Sequence, residues 1–254
     1  MLYNYHTHTA RCRHARGTDR EYVESAIEAG IKTLGFADHA PYLFKNHNDY
    51  YSSFRMFTDE LQNYAESVRS LAKEYAKDIR ILLGFELEYY PAFHQDEMGF
   101  LSQVQPDYCI MGQHFLENEI DGIYNGGPLN KPEQLTRYVS QVLEGLATGD
   151  FAYLAHPDLA GYNFPKEHVQ KEYLRLCEGA KALKIPLEIN LLGLRTGRHY
   201  PSATLFEIVA KVGNDVVLGT DAHAPNEFLH PTDKTMALQM VNDLGLKLIE
   251  KPFI

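Results

Sequence analysis

The strongest constraint on the fold is the alternation of short apolar runs with helical patterns along the 254 residues. The runs are four to seven residues long and nearly continuous in apolar character, which is typical of strands buried on both faces of a parallel sheet. The helical patterns between them supply the crossover connections that parallel strands require. The predicted strands are Leu2–Tyr5, Thr33–Ala37, Ile79–Phe85, Tyr108–Met111, Ala152–Ala155, Pro186–Ile189 and Val216–Gly219.

The helical segments carry recognisable start and stop signals. Thr18 and Glu21 have the spacing of a capping box, and Gly30 lies where a glycine commonly ends a helix. Pro132 suits the first turn of a later helix, which Gly149 closes. A long helix is also expected around residues 61–75. Further helices are expected at about Lys166–Leu183, Pro201–Val212 and Pro231–Leu244.

Length and composition limit the architecture and the partners. Seven strand–helix repeats without a low-complexity linker favour a closed barrel, with residues 1–254 as a single domain. No apolar run approaches about 18 residues and the start lacks a secretory pattern, so we expect a cytoplasmic protein without a membrane span. Three cysteines do not suggest a disulfide framework. The net charge of −10 disfavours nucleic-acid binding and leaves room for cations. The oligomeric state stays open.

Ionisable side chains follow six of the seven predicted strands. The carboxyl ends of parallel barrel strands face one mouth, where active sites are built. Because residues two apart share a side of a strand, His6 and His8 can face one ion together, as can Glu86 and Glu88. Unpaired buried charges are costly and a bound metal removes that cost, so we predict a metal site. The residues at these strand ends are His6, His8, Asp38, His39, Glu86, Glu88, His114, His156, Asp158, Asp221 and His223.

The ordered motifs HTHT, RCRHARG, ADHAP, GFELEY, MGQHF, AHPD and GTDAH resemble those of the polymerase-and-histidinol-phosphatase (PHP) superfamily. The match covers nearly the whole chain and keeps the motif order. The resemblance implies a distorted (β/α)7 barrel of the α/β class. The CRHARG loop and the stretch EINLLGLRTGRHYPS are most similar to the histidinol-phosphatase branch. The resemblance also implies a site for three divalent transition-metal ions, usually assigned to zinc, manganese or iron.

Carried over residue by residue, the resemblance implies three groups of metal ligands in which Glu86 bridges two ions. Glu86 is also expected to be catalytic, and arginines in the loop after the sixth strand are expected to bind phosphate. The first group is His6, His8, Glu86 and Asp221; the second is His14, His39 and His223; the third is Glu86, His114 and His156. The expected catalytic residues are Glu86, Asp221, His223 and Arg195, and the expected substrate-binding residues are Arg195 and Arg198.

This inventory suits the hydrolysis of phosphomonoesters. Clustered divalent ions bind phosphoryl oxygens, lower the pKa of water and screen developing charge, and mixed imidazole and carboxylate ligands suit zinc, manganese or iron more than magnesium. We therefore predict a phosphatase for a small-molecule phosphomonoester, with L-histidinol phosphate in histidine biosynthesis as the first choice. The alternative is another ester, such as a nucleotide, a sugar phosphate or phosphotyrosine.

One departure bears on the substrate. Relatives in this branch often carry a basic residue soon after the histidine of the fifth strand, but here none follows His156 until Lys166. Either Arg198 supplies that charge or the substrate is held differently.

Two other classes fit the sequence less well. Amidohydrolase barrels also begin with His-x-His, but they usually add a bridging lysine on the fourth strand, where this chain has MGQHF. A non-catalytic metal-binding module is favoured by an incomplete ligand set, whereas this set is complete.

Overall fold

The computed structural model describes residues 2–47 and 49–249, and strands alternate with helices along it. The strands are β1 Tyr3–Asn4, β2 Thr33–His39, β3 Arg80–Leu87, β4 Tyr108–Met111, β5 Leu187–Asn190, β6 Asp215–Gly219 and β7 Lys247–Leu248. The α-helices are α1 Asp19–Glu28, α2 Leu61–Glu74, α3 His94–Leu101, α4 Pro132–Leu146, α5 Lys166–Ala182, α6 Leu191–Arg195, α7 Ala203–Val212 and α8 Pro231–Leu244.

The strands form a parallel barrel. Two sheets, with the orders β1-β2-β3-β4 and β5-β6-β7, contain only parallel pairs. Leu154 joins the two sheets through parallel bridges to Met111 of β4 and Leu187 of β5. Thr7 closes the ring through a parallel bridge to Ala222, just beyond β6. The prediction of a distorted (β/α)7 barrel is confirmed.

The predicted strand Ala152–Ala155 is wrong as a regular strand, although the segment lies where the prediction puts it. Its backbone forms hydrogen bonds with the chain on both sides, since Ala152 N donates to Cys109 O and Leu154 N donates to Pro186 O. Only Leu154, however, forms β-bridges. Pairing stops there because His156 has a φ of 29° and Pro157 follows it. The short elements β7 and α6 were not predicted, since two and five residues carry no periodic pattern.

Side chains alternate between the barrel interior and the layer under the helices. On β3, Leu82 packs inside the barrel with Tyr108, whereas its neighbours Ile81 and Leu83 join the core beneath the helices. The Tyr108 ring crosses the interior because Gly35 and Gly84 leave space for it: a Cβ at either would lie 2.2–2.4 Å from the Tyr108 side chain. Glu86 shares the interior side of β3 at the barrel mouth.

The predicted helix signals are confirmed. Thr18 N donates to Glu21 Oε2 over 2.7 Å, and Glu21 N donates back to Thr18 Oγ1. Gly30 and Gly149 adopt φ values of 75° and 84°, in the left-handed region that glycine favours after a helix. No helix in the described ranges combines the length and apolar character needed to cross a bilayer. The three cysteines are buried free thiols.

Candidate metal centre

The barrel mouth brings the nine predicted ligands together around one cavity of about 500 Å³. Eight of them line it, and the ninth, His6, lies beneath it and is fully buried. The lining ligands are His8, His14, His39, Glu86, His114, His156, Asp221 and His223.

The Glu86 carboxylate lies at the centre of the cluster, and its two oxygens face different histidines. Oε1 is 2.7 Å from His156 Nε2 and 3.6 Å from His114 Nε2. This half of the carboxylate therefore faces the third predicted ligand group. Oε2 faces nitrogen atoms of His39 at 3.1 Å and of His6 and His8 at 3.5 Å each.

Asp221 joins this centre to the outer part of the site. Its Oδ1 atom is 3.1 Å from His8 Nε2, 3.6 Å from His6 Nε2 and 3.3 Å from His223 Nδ1. Farther out, the Nε2 atoms of His14 and His223 face each other at 3.0 Å. Two imidazole nitrogens approach this closely only when one carries a proton or both face a cation.

Within the described part of the chain, five buried atoms around Glu86 have no hydrogen-bond partner. Each of the imidazole nitrogens lies 3.1–3.6 Å from a carboxylate oxygen of Glu86 or Asp221, and both kinds of atom offer lone pairs. Unsatisfied polar atoms in a protein interior are costly, and a shared cation satisfies several at once. These residues therefore fit divalent metal ions. The five atoms are His6 Nε2, His8 Nε2, His39 Nδ1, Glu86 Oε2 and Asp221 Oδ1.

The protonation states of the carboxylates and of two imidazoles suit coordination. Burial opposes protonation of His6, His8 and His114, but nearby carboxylates raise the pKa of each, so metal binding there displaces protons. Burial opposes ionisation of Glu86, but His39 and the other nearby histidines hold the pKa of its carboxyl well below the usual range. Burial likewise opposes ionisation of Asp221, and His6 leads the histidines that hold its pKa low. Burial lowers the pKa of His39 and takes that of His223 to about 3. Ionised carboxylates and neutral imidazoles are the forms that bind metals.

Acceptors behind the cluster orient several imidazoles. A ligand histidine ordinarily donates its second ring N–H to a carboxylate or carbonyl, which fixes the ring and its tautomer. The pairs here are His6 Nδ1 with Glu188 Oε1 at 2.8 Å, His8 Nδ1 with Asp38 Oδ1 at 3.3 Å, His14 Nδ1 with Cys12 O at 2.8 Å, and His114 Nδ1 with Glu88 Oε1 at 2.7 Å.

Glu88 does not face the centre beside Glu86, which corrects the expectation drawn from their spacing. Its carboxylate turns behind His114, and its second oxygen accepts from Arg55 Nη2 over 3.0 Å. Arg55 is 2% exposed and also binds Glu119. Arg55 and Glu119 lie in loops after β2 and β4, so their pairing leaves no local sequence signal.

Backbone geometry makes room for the two buried carboxylates. A Cβ at Gly112 would lie 1.8 Å from Glu86 Oε1, and a Cβ at Gly219 would lie 1.7 Å from Glu188 Oε1. His156 and Asp221 adopt φ values of 29° and 49°, a region that non-glycine residues occupy at a cost. Strain at two predicted ligands is consistent with a functional site.

The two arginines after β5 have different surroundings. Arg195 binds Asp233 through Nη1 at 2.8 Å and Glu227 through Nη2 at 2.9 Å, and it does not line the cavity. Both of its carboxylate partners come from later in the chain. The structure thus does not bring Arg195 to the position expected of a phosphate-binding or catalytic residue. Arg198 does reach the cavity and is the one arginine or lysine among its described lining residues.

Comparison with known proteins settles the family. A model of the PHP domain matches residues 4–191. The chain belongs to the PHP domain family. A protein named "Probable histidinol-phosphatase" from Deinococcus radiodurans is 29% identical over 245 residues, covering 89% of this chain and 88% of that protein. A histidinol-phosphatase from Bacillus subtilis is 31% identical over 119 residues, 45% of this chain and 44% of that protein.

A solved structure shares the PHP fold. The histidinol phosphate phosphatase of Lactococcus lactis, determined with zinc, L-histidinol and phosphate, has a TM-score of 0.74 and 18% identity, covering 98% of this chain and 95% of that chain. At this identity the likeness establishes the barrel. The family and the fold expected from the motifs are both confirmed.

Proposed function

We propose that this PHP domain protein is a metal-dependent phosphomonoesterase that hydrolyses L-histidinol phosphate to L-histidinol and phosphate. The observation that carries the proposal is the convergence of buried, unpaired nitrogen and oxygen atoms around Glu86 at the foot of an open cavity. The names of the relatives support the choice of substrate. The Lactococcus lactis protein was solved with both products of that reaction.

The nine predicted ligands would hold up to three divalent ions in the groups described above. Glu86 Oε1 faces His156 of the third group and Oε2 faces His6 and His8 of the first, with His39 of the second group also beside Oε2, which suits a bridging carboxylate. Imidazole nitrogens favour zinc, manganese or iron over magnesium. When bound, such ions offset the charge of the phosphoryl group and activate water as a nucleophile.

The remaining residues bind and position. Arg198 pairs with phosphoryl oxygens, since its guanidinium provides the paired N–H donors that match them. Arg195 acts indirectly: Glu227 Oε2 accepts from Arg195 Nη2 and also from His223 N at 2.7 Å, which fixes the backbone of a proposed ligand. His223, Asp221 and Glu86 remain the proposed catalytic group.

The wider setting follows from the same features. Three buried free thiols suit a reducing cytoplasm, and one domain carries all the proposed residues. The substrate is a small molecule, because the cavity measures about 500 Å³.

A phosphate-release assay tests this function. Protein loaded in turn with zinc, manganese and iron is given L-histidinol phosphate, a nucleoside monophosphate, a sugar phosphate and phosphotyrosine. We expect the highest kcat/KM for L-histidinol phosphate and loss of release after chelation. If the wild type releases phosphate from every ester no faster than a Glu86→Gln control, the proposal is contradicted. If it prefers another ester, the phosphatase activity stands and only the proposed substrate changes.

A further inference from the structure

The cavity wall above the proposed ligands differs from the floor in its chemistry. It consists of rings and aliphatic side chains with three hydroxyl groups and one cation. Glu86 and Asp221 are the only carboxylates among the described lining residues, and both face histidines. An ammonium group on a substrate therefore meets no carboxylate of its own. The wall residues are Ser53, Phe54, Tyr124, Leu159, Leu192, Arg198 and Tyr200.

One side of the wall presents two aromatic rings, Phe54 and Tyr124, which Phe115 joins from outside the cavity lining. Phe54 stands edge-on to His39, with 5.1 Å between ring centroids and 85° between planes. Its ring packs beside Phe115 at 5.8 Å, and Phe115 packs beside Tyr124 at 5.4 Å. The Arg55 guanidinium lies 4.5 Å from the Phe54 ring centre and holds that ring from outside the lining. Phe54 and Tyr124 are thus presented to the cavity in fixed positions.

Tyr124 is the part of this surface with free contact area. Its side chain is 51% exposed although it lines a cavity. Its phenol edge packs against the chain, since a Cβ at Gly126 would lie 2.3 Å from the Tyr124 hydroxyl oxygen. A half-exposed ring held at a cavity mouth is suited to stack on a flat group of a ligand.

We infer that Phe54 and Tyr124 determine specificity by binding the ring of the substrate's alcohol portion, while the amino group of histidinol phosphate makes no ion pair with the protein. This inference rests on the proposed function. It widens the substrate class to phosphomonoesters of primary alcohols that end in a flat ring. The phosphoryl group lies at the ligand cluster and Arg198, and the ring lies along the aromatic side of the wall.

Four esters with primary alkyl leaving groups test the inference, because their intrinsic reactivities are similar. They are L-histidinol phosphate, 3-(imidazol-4-yl)propyl phosphate, which lacks only the amino group, 3-phenylpropyl phosphate and n-hexyl phosphate. We expect removal of the amino group to change kcat/KM by less than about threefold, and replacement of the ring by the hexyl chain to lower it by about tenfold.

Matched variants assign the ring preference to its residue. Tyr124→Leu is expected to lower kcat/KM for the three ring-bearing esters by about three- to tenfold, and to leave n-hexyl phosphate hydrolysis and inhibition by inorganic phosphate unchanged. Tyr51→Leu is the control, since Tyr51 is 63% exposed, packs on Phe57 and does not line the cavity. This variant should match the wild type with every ester.

The outcomes separate this inference from the proposed function. If L-histidinol phosphate is hydrolysed but removal of its amino group lowers kcat/KM by more than about thirtyfold, the inference is overturned and the proposed function stands. Equal effects of Tyr124→Leu on all four esters also overturn it. Strong hydrolysis of 3-phenylpropyl phosphate with none of L-histidinol phosphate overturns the proposed substrate and supports the aromatic wall. Hydrolysis of none of the four overturns both.

Discussion

The buried guanidinium of Arg55 makes the replacement Arg55→Met a demanding test of the structure. Arg55 Nη2 lies 3.0 Å from Glu88 Oε2 and 2.5 Å from Glu119 Oε2, and Nη1 donates to Ala40 O over 2.9 Å. Glu88 and Glu119 are 0% and 6% exposed. Methionine retains much of the apolar stem but removes the charge, so two buried carboxylates lose their shared cation.

The magnitude follows from that arrangement. Removing one partner of a buried ion pair costs about 3–5 kcal/mol, because the remaining charge loses that counterion where water cannot replace it. We therefore expect Arg55→Met to lower the free energy of unfolding by about 3–5 kcal/mol at pH 7, a large part of the stability of an ordinary domain.

Urea unfolding of the metal-loaded protein, followed by far-ultraviolet circular dichroism, measures this loss. Combining Arg55→Met with Glu88→Gln and Glu119→Gln removes both stranded charges and should recover most of the stability. Arg20→Met is the surface control, since the Arg20–Glu74 pair is solvent-exposed and its loss should leave the urea midpoint nearly unchanged. A cost below about 1 kcal/mol for Arg55→Met would refute the reasoning.

Three further predictions concern the site and its surroundings. Arg198→Ala should lower kcat/KM by a factor that corresponds to about 2–4 kcal/mol of transition-state stabilisation, and Arg198→Lys should restore part of it. Arg195→Ala should chiefly lower the urea midpoint of unfolding. Equal losses of kcat/KM in the two alanine variants would contradict this division. Glu86→Gln should reduce kcat by orders of magnitude, and Glu88→Gln by about 10–100-fold, as steady-state kinetics can compare. Burial raises the pKa of Glu97 from 4.5 to about 8, so the folded state holds a proton that the unfolded chain loses. The free energy of unfolding should fall between about pH 4.5 and 8, by up to about 1.4 kcal/mol per unit, and Glu97→Gln should remove that slope in pH-dependent urea titrations.

The barrel and the ligand cluster could be predicted because both depend on local patterns. Strand C-termini converge in any parallel barrel, so His6 and Asp221 meet although 215 positions separate them. The orienting carboxylate Glu188 was missed, although a charge inside the apolar stretch IPLEI is a signal that something must satisfy it.

The fate of Arg195 could not be predicted in the same way. The loop sequence shows a cation near a strand end, which suits phosphate binding. Its actual partners lie more than 30 residues later: Asp233 belongs to α8, which packs against α6, and Glu227 lies in the segment just before α8. The segment 152–155 illustrates the same limit: its apolar run indicates a strand, but the turn at His156 restricts bridge formation to Leu154.

Metal content measured together with activity tests the central claim most directly. Protein purified without added chelator is analysed for zinc, manganese and iron by mass spectrometry, then assayed for phosphate release from L-histidinol phosphate before and after exhaustive chelation. We expect more than one ion per chain, because nine ligands exceed the needs of a single four- to six-coordinate ion, and we expect activity to disappear with the metal and return when it is restored. At most one ion per chain, with activity intact after chelation, would contradict the account.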